Sequence, residues 1–275
     1  MDYFKVGISN LKEGDSEILM ACLSELGCES FLESNGELEG FIPFDLFNKP
    51  ELISFLDKEM KDKGIVYTLE LIGEQNWNAI WESQYEPVTI AGKCLVRAPF
   101  HQAVPGIKYD LIIEPRMSFG TAHHETTALM IEMLMEEEPE GRKVLDMGCG
   151  TGVLAILASE MGALSVDAID VDDWAFENAQ DNCRKNNAGV VTVIKGGRDA
   201  IPGSDYNVII ANINRNVLLE DIPAYAGRLA ANGILLMSGF YVEDIPVIIE
   251  KALESGLNMV NHREQNRWVG IKFIK

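Results

Sequence analysis

The stretch DMGCGTG, residues 146–152, sets glycines at 148, 150 and 152 behind an acid, Asp146. Glycines spaced this way permit a tight turn and let backbone come close to a bound molecule. The stretch follows the apolar pair Val144-Leu145 and leads into LAILASEMG, a strand–turn–helix pattern. The helix start then offers free N–H groups, at the strand end where open α/β sheets hold their ligands. A dinucleotide fingerprint needs a small third residue at position 153, but Val153 stands there and the glycine falls one earlier, at Gly152. The GK[ST] ending of a phosphate-binding P-loop is also missing. A nucleoside therefore fits better than a pyrophosphate cradle. Asp170 lies twenty residues beyond Gly150 and ends the next predicted strand. A carboxylate there accepts hydrogen bonds from both hydroxyls of a ribose. Alone it reads equally well as a helix cap or a solvated strand end.

Two adjacent histidines, His123 and His124, invite a metal reading. Neighbouring side chains at a helix start rarely converge on one ion, and no acidic triad lies nearby in sequence, so a structural or substrate-positioning role is expected and no metal. His101 and His262 are isolated.

The elements that must hold these residues follow from pattern. From about Asp110 onward, KVLDMG, LSVDAIDVD, VTVIKG, YNVIIANI, GILLMSGF and WVGIKFI read as strands, separated by helical stretches such as TGVLAILASEMG, DDWAFENAQDNCRKNN, NRNVLLEDIPAYAGRLA and EDIPVIIEKALESG. Such alternation implies a mostly parallel sheet covered by helices on both faces. Residues 1–72 carry a separate β-α-β-β-α-β order, including an Asn35-Gly36 turn, and this suggests a small ferredoxin-like α/β domain. Residues 73–108 form a connector, with Trp77, Trp81 and Tyr85 spaced four apart as a packing stripe, and 109–275 form the larger domain.

Composition bounds the function. The chain has 275 residues and 47% hydrophobic residues, ordinary for a globular protein of one or two domains. No run approaches the roughly 18 apolar residues of a membrane span, and the start MDYFKVG does not read as a secretory signal. Five cysteines without a CxxC pair argue against a disulfide scaffold or a thiolate zinc site and favour a reducing, cytoplasmic compartment. A net charge of −20 lacks the basic footprint of a nucleic-acid binder and would favour a basic partner.

DMGCGTG with Asp170 resembles the S-adenosylmethionine site of the seven-stranded methyltransferases. One branch is more similar still, the ribosomal protein L11 methyltransferases, through NWNAIWESQYEP, EPRMSFGTAHHETT, ANI and LLMSG. The resemblance covers nearly the whole chain. It implies a seven-stranded Rossmann-like sheet, S-adenosylmethionine as cofactor, a leading domain that recognises the protein substrate, and methylation of amino groups on ribosomal protein L11, which is basic. Glu114, Phe119, Gly120, Thr121, His124, Thr126 and Thr127 match the family block. The resemblance implies that Phe119 covers the cofactor, that Thr121 bonds to its amino-acid moiety, and that Thr126 joins Asp146, Gly148, Gly150, Gly152 and Asp170 in holding it. It also puts Asp199 near the adenine, and Asn212 against the cofactor, where an oxygen also orients the amine's lone pair; His124 is the one candidate base. Arg116 and Ala122 stand where the family carries glycines, and Asn214 where it is usually apolar. Losing a glycine limits positive φ, so either the loop takes another course or the glycine is dispensable. Rival readings are a methyltransferase for another protein or a small molecule, an NAD(P)-dependent oxidoreductase, and a non-catalytic nucleoside-binding protein.

Overall fold

The computed structural model describes residues 3–11, 15–34, 37–60, 65–72, 85–115, 120 and 122–275. The Asn35-Gly36 turn, Trp77, Trp81, Arg116, Phe119 and Thr121 lie outside the described residues. The chain divides into two compact units, Met1–Tyr85 and Glu86–Lys275.

The smaller unit runs β1 (Tyr3–Ser9), α1 (Asp15–Glu25), β2 (Ser30–Ser34), β3 (Glu37–Pro43), α2 (Lys49–Met60) and β4 (Val66–Ile72). Its sheet has the order β2-β3-β1-β4, and every neighbouring pair is antiparallel. Strand side chains alternate between faces, so β1 turns Val6 and Ile8 inward, to meet Leu38 and Ile42 of β3. Leu19 and Leu23 of α1 and Leu52 and Leu56 of α2 close over that face.

The larger unit begins with a three-stranded sheet of β5 (Val88–Ile90), β6 (Cys94–Arg97) and β7 (Tyr109–Ile112). Helix α3 (Glu125–Met135) leads to β8 (Lys143–Met147), α4 (Val153–Glu160), β9 (Ser165–Asp170), α5 (Asp173–Lys185) and β10 (Val191–Lys195). Then come β11 (Tyr206–Asn212), α6 (Arg215–Arg228), β12 (Leu229–Tyr241), α7 (Ile245–Glu254), β13 (Asn258–Gln265) and β14 (Trp268–Ile274). These seven strands form one sheet, ordered β10-β9-β8-β11-β12-β14-β13. The five strands from β10 to β12 are parallel, while β14 and β13 are antiparallel to their neighbours.

Alternation sorts the core into two layers. Val144, Val166, Val208 and Leu236 meet α3 and α4 on one face, whereas Leu145, Ile169, Ile209 and Leu235 meet α6 and α7 on the other. The chain builds outward from β8 to β9 and β10, then returns to place β11 on the other side of β8. That reversal opens a crevice at the carboxyl ends of β8 and β11, the place where doubly wound sheets accept ligands. No described helix is long and apolar enough to cross a membrane.

Candidate functional site

The crevice is floored by the turn after β8. Gly148, Gly150 and Gly152 all have left-handed backbone, with φ of 67°, 54° and 79°. A Cβ on Gly148 would stand 2.1 Å from Ile213 Cγ2, so the turn and the strand end after β11 can approach only without a side chain there. Gly152 starts α4, and a Cβ on it would press Ala179 of α5 at 3.3 Å, so its bareness serves helix packing. Asp146 is buried beneath the turn and accepts a hydrogen bond at Oδ2 from Ala155 N (3.1 Å), while its Oδ1 has no partner. Burial pushes its pKa up to about 7; the Ala155 N–H opposes this and the Asp170 charge adds to it.

Above the turn lies a cavity of about 540 Å³. Asp170 lines it and is fixed at both oxygens, with Gly150 N donating to Oδ2 (2.8 Å) and Asp172 N to Oδ1 (3.0 Å). Each oxygen keeps acceptor capacity, because a carboxylate offers about four lone-pair positions. Val171 and Trp174 also line the cavity, yet are 71% and 63% exposed, apolar surface that the fold itself does not cover. Asn212, at the tip of β11, lines the cavity as well. Its Nδ2 reaches Thr127 Oγ1 only at 3.5 Å, and its Oδ1 is buried with no partner. An orphaned buried acceptor is uncommon and calls for a donor.

His124 is the N-cap of α3. Its Nδ1 accepts from Thr126 N (3.3 Å) and lies 2.9 Å from Thr126 Oγ1. A backbone N–H can only donate, so Nδ1 holds a lone pair and the neutral ring carries its proton on Nε2. The ring meets Trp268 edge-on at 4.7 Å, and Trp268 packs on Tyr241 at 4.0 Å. Asn214 caps α6 by accepting from Val217 N (3.2 Å), which gives that residue a local task. Ala122 holds φ of +65° while buried, so the backbone keeps a left-handed course there without a glycine.

His124, Thr126, Gly148, Gly150, Asp170 and Asn212 thus share one cavity. Asp146 and Gly152 stand behind the turn, outside that lining. Asp199 sits exposed in the short turn Arg198–Ala200, outside the lining as well. The carboxylate that does reach the cavity next to Gly196 and Gly197 is Asp221, with Tyr225 beside it. Sequence reading passed over both residues, although Val217, Asp221 and Tyr225 recur every four positions and so face one way on a helix. Trp174 and Trp268 carried no such signal.

The cavity fits an adenosyl cofactor: a glycine turn that a Cβ would fill, a pinned carboxylate for ribose hydroxyls, uncovered apolar surface for a heterocycle, and an unpartnered acceptor. Comparison with known proteins agrees. The family model described as Ribosomal protein L11 methyltransferase (PrmA) matches residues 19–275. A protein of Phocaeicola vulgatus named ribosomal protein L11 methyltransferase is 41% identical, over 100% of this chain and 99% of its own length. A Bacteroides fragilis protein of the same name is 42% identical over 94% of each chain. A solved ribosomal protein L11 methylase from Lactobacillus delbrueckii subsp. bulgaricus superimposes with a TM-score of 0.65 at 26% identity, covering 69% of this chain and 98% of that one. On the extent of these matches, this chain belongs to the ribosomal protein L11 methyltransferase family.

Proposed function

We propose that this chain transfers methyl groups from S-adenosylmethionine to amino groups of ribosomal protein L11, on lysine side chains, the N-terminal amine or both. The observation that carries the reading is Asn212 Oδ1, a buried acceptor without a partner on the wall of the cavity that Asp170 and the glycine turn also line. An amine N–H supplies the missing donor, and that hydrogen bond turns the nitrogen lone pair into the cavity.

The cofactor, when bound, supplies an electrophilic methyl on a sulfonium. The chain's own residues do the rest. Asp170 accepts from the ribose hydroxyls, the backbone at Gly148 and Gly150 allows close approach, and Thr126 lines the same cavity. The amine must arrive neutral, since an ammonium has no lone pair. A free lysine has a pKa of about 10.4, and removal from water lowers it. The proton leaves to solvent. His124 is occupied as a cap and, with its Nδ1 lone pair used, serves as a wall rather than a base. Holding nitrogen and methyl in line contributes most of the gain, which for well-oriented reactants reaches about 7–11 kcal/mol.

Two further assignments belong to this reading. Residues 1–72 recognise the protein substrate, and the net charge of −20 draws in a basic partner. The test is to incubate purified L11 with the enzyme and S-adenosylmethionine and locate added methyl groups by peptide mass spectrometry. Methylated amines on L11 are expected. Unmodified L11, under conditions where calorimetry shows the cofactor bound, would refute the substrate.

A further inference from the structure

We propose that Asp221 reads the exocyclic amino group of the cofactor's purine and makes the site selective for adenine over a 6-oxo purine. The inference rests on the cofactor reading above and extends it to a residue outside every sequence motif.

Asp221 lies on the second turn of α6 and is 7% exposed. A carboxylate so far removed from water is costly unless held by partners. Two hold it: Arg198 Nη1 donates to Oδ1 at 2.9 Å and Tyr225 OH donates to Oδ2 at 3.1 Å. Arg198 also donates to Glu220 O at 3.2 Å, which ties the turn after β10 to the helix. Burial and the adjacent Asp221 push the Tyr225 hydroxyl well above its ordinary range, so it remains a donor. The carboxylate is thus fixed in direction, with about half of its lone-pair positions used.

The helix does not need an acid here to pack. The buried neighbours Leu218, Ile222 and Ala226 are apolar, and they fill the core under β11 and β12. What distinguishes position 221 is that it faces the cavity, as Asp170 does. The same cavity is lined by the bare backbone of Gly196 and Gly197 and by the uncovered apolar surface of Val171 and Trp174. A cavity that offers apolar surface and a fixed acceptor suits a flat heterocycle that carries an N–H donor on its rim. Adenine presents an amino group there. A 6-oxo purine presents an acceptor, which meets the carboxylate lone pair to lone pair, and such unpaired buried polar groups are what make hydrogen-bonding sites selective. Asp199, which the resemblance puts near the adenine, is exposed and outside the lining; Asp221 is in the lining and takes that task in this proposal.

The test is isothermal titration calorimetry on the full chain with S-adenosylhomocysteine and its 6-oxo analogue, S-inosylhomocysteine, using wild type, Asp221→Asn and Tyr225→Phe. Wild type should prefer the adenosyl ligand by about a hundredfold or more, as sites built around a specific hydrogen bond do. Asp221→Asn offers either an oxygen or an NH2 and should narrow the preference to about tenfold or less. Tyr225→Phe leaves the acceptor in place and should retain most of the preference. Circular dichroism and a thermal melt check that each variant folds. Equal affinity of wild type for the two ligands, or an undiminished preference in folded Asp221→Asn, overturns the assignment. If Asp221→Asn does not fold, Asp221→Ser takes its place, and an undiminished preference in that folded variant overturns the assignment equally. Wild type that binds neither ligand removes the cofactor reading itself, an outcome distinct from loss of selectivity.

Discussion

At the scale of single residues, Asn212 and Asp146 each have an oxygen that the protein leaves without a partner, and the two differ in what they face. Asn212 lines the cavity, so its replacement is a test of chemistry. Asn212→Ala should lower kcat by about a hundredfold, the usual cost of removing one preorganised group, while cofactor affinity by calorimetry stays within about threefold. A parallel loss of affinity would make Asn212 a binding residue instead. Asp146 faces the core and titrates. Its folded pKa of about 7 lies above an unfolded value near 3.9. The native state therefore binds the extra proton between those values, and the stability this brings is complete below about pH 4 and lost as pH rises through 7. Asp146→Asn keeps the acceptor for Ala155 N and cannot ionise. Urea unfolding should show the variant gaining about 2–3 kcal/mol on wild type between pH 5 and pH 8. A gap that does not change with pH would disprove the shift. Ala122 belongs to this scale too. Left-handed backbone costs an alanine about 1–2 kcal/mol, but a buried methyl regains about 0.8 kcal/mol, so a buried alanine is tolerated at this left-handed position.

At the scale of elements, α5 is a polar ladder on its inner face. Asn178, Asn182 and Asn186 recur every four residues and are all buried. Asn182 accepts from Glu114 N (2.9 Å) and donates to Thr151 O (2.9 Å). Asn186 accepts from Ile112 N (2.8 Å) and donates to Ile112 O (2.7 Å). Thr151 in turn donates through Oγ1 to Gly120 O at 2.6 Å. The ladder thus joins the end of β7 to the glycine turn. Asn182→Leu would strand a buried N–H and a buried carbonyl, at about 1–3 kcal/mol each. Chemical denaturation should show a loss of about 2–5 kcal/mol, and a loss below 1 kcal/mol would mean that the ladder is dispensable. Elements were legible in the sequence where burial writes a pattern. β8 and β11 are apolar on both faces because both faces are covered, and their strand–helix alternation gave the doubly wound sheet. β13 left no such trace. All but one of its residues are exposed at the sheet edge, so NMVNHREQ carries no alternation to read. The pairing of β5, β6 and β7 into their own sheet was equally hidden, because register between distant strands is not a local property.

At the scale of the whole molecule, two units and a strong negative charge must serve one reaction. Deleting residues 1–72 should leave S-adenosylhomocysteine affinity within about threefold, because the described residues that line the cavity all lie between His124 and Trp268 and stability of separate compact units is largely independent. Methylation of L11 by the shortened chain should fall by at least about a hundredfold, since recognition energy from remote contacts is spent on orientation. Full turnover by that chain would place recognition in the larger unit. The ladder on α5 has a consequence for how the molecule breathes. The amides of Ile112 and Glu114 belong to a stretch outside the large sheet, yet their protons are held by side chains of a helix packed against it. In heavy water they should not exchange with the fast rhythm of a surface connection; they should wait for α5 to lift, and become deuterated together with it.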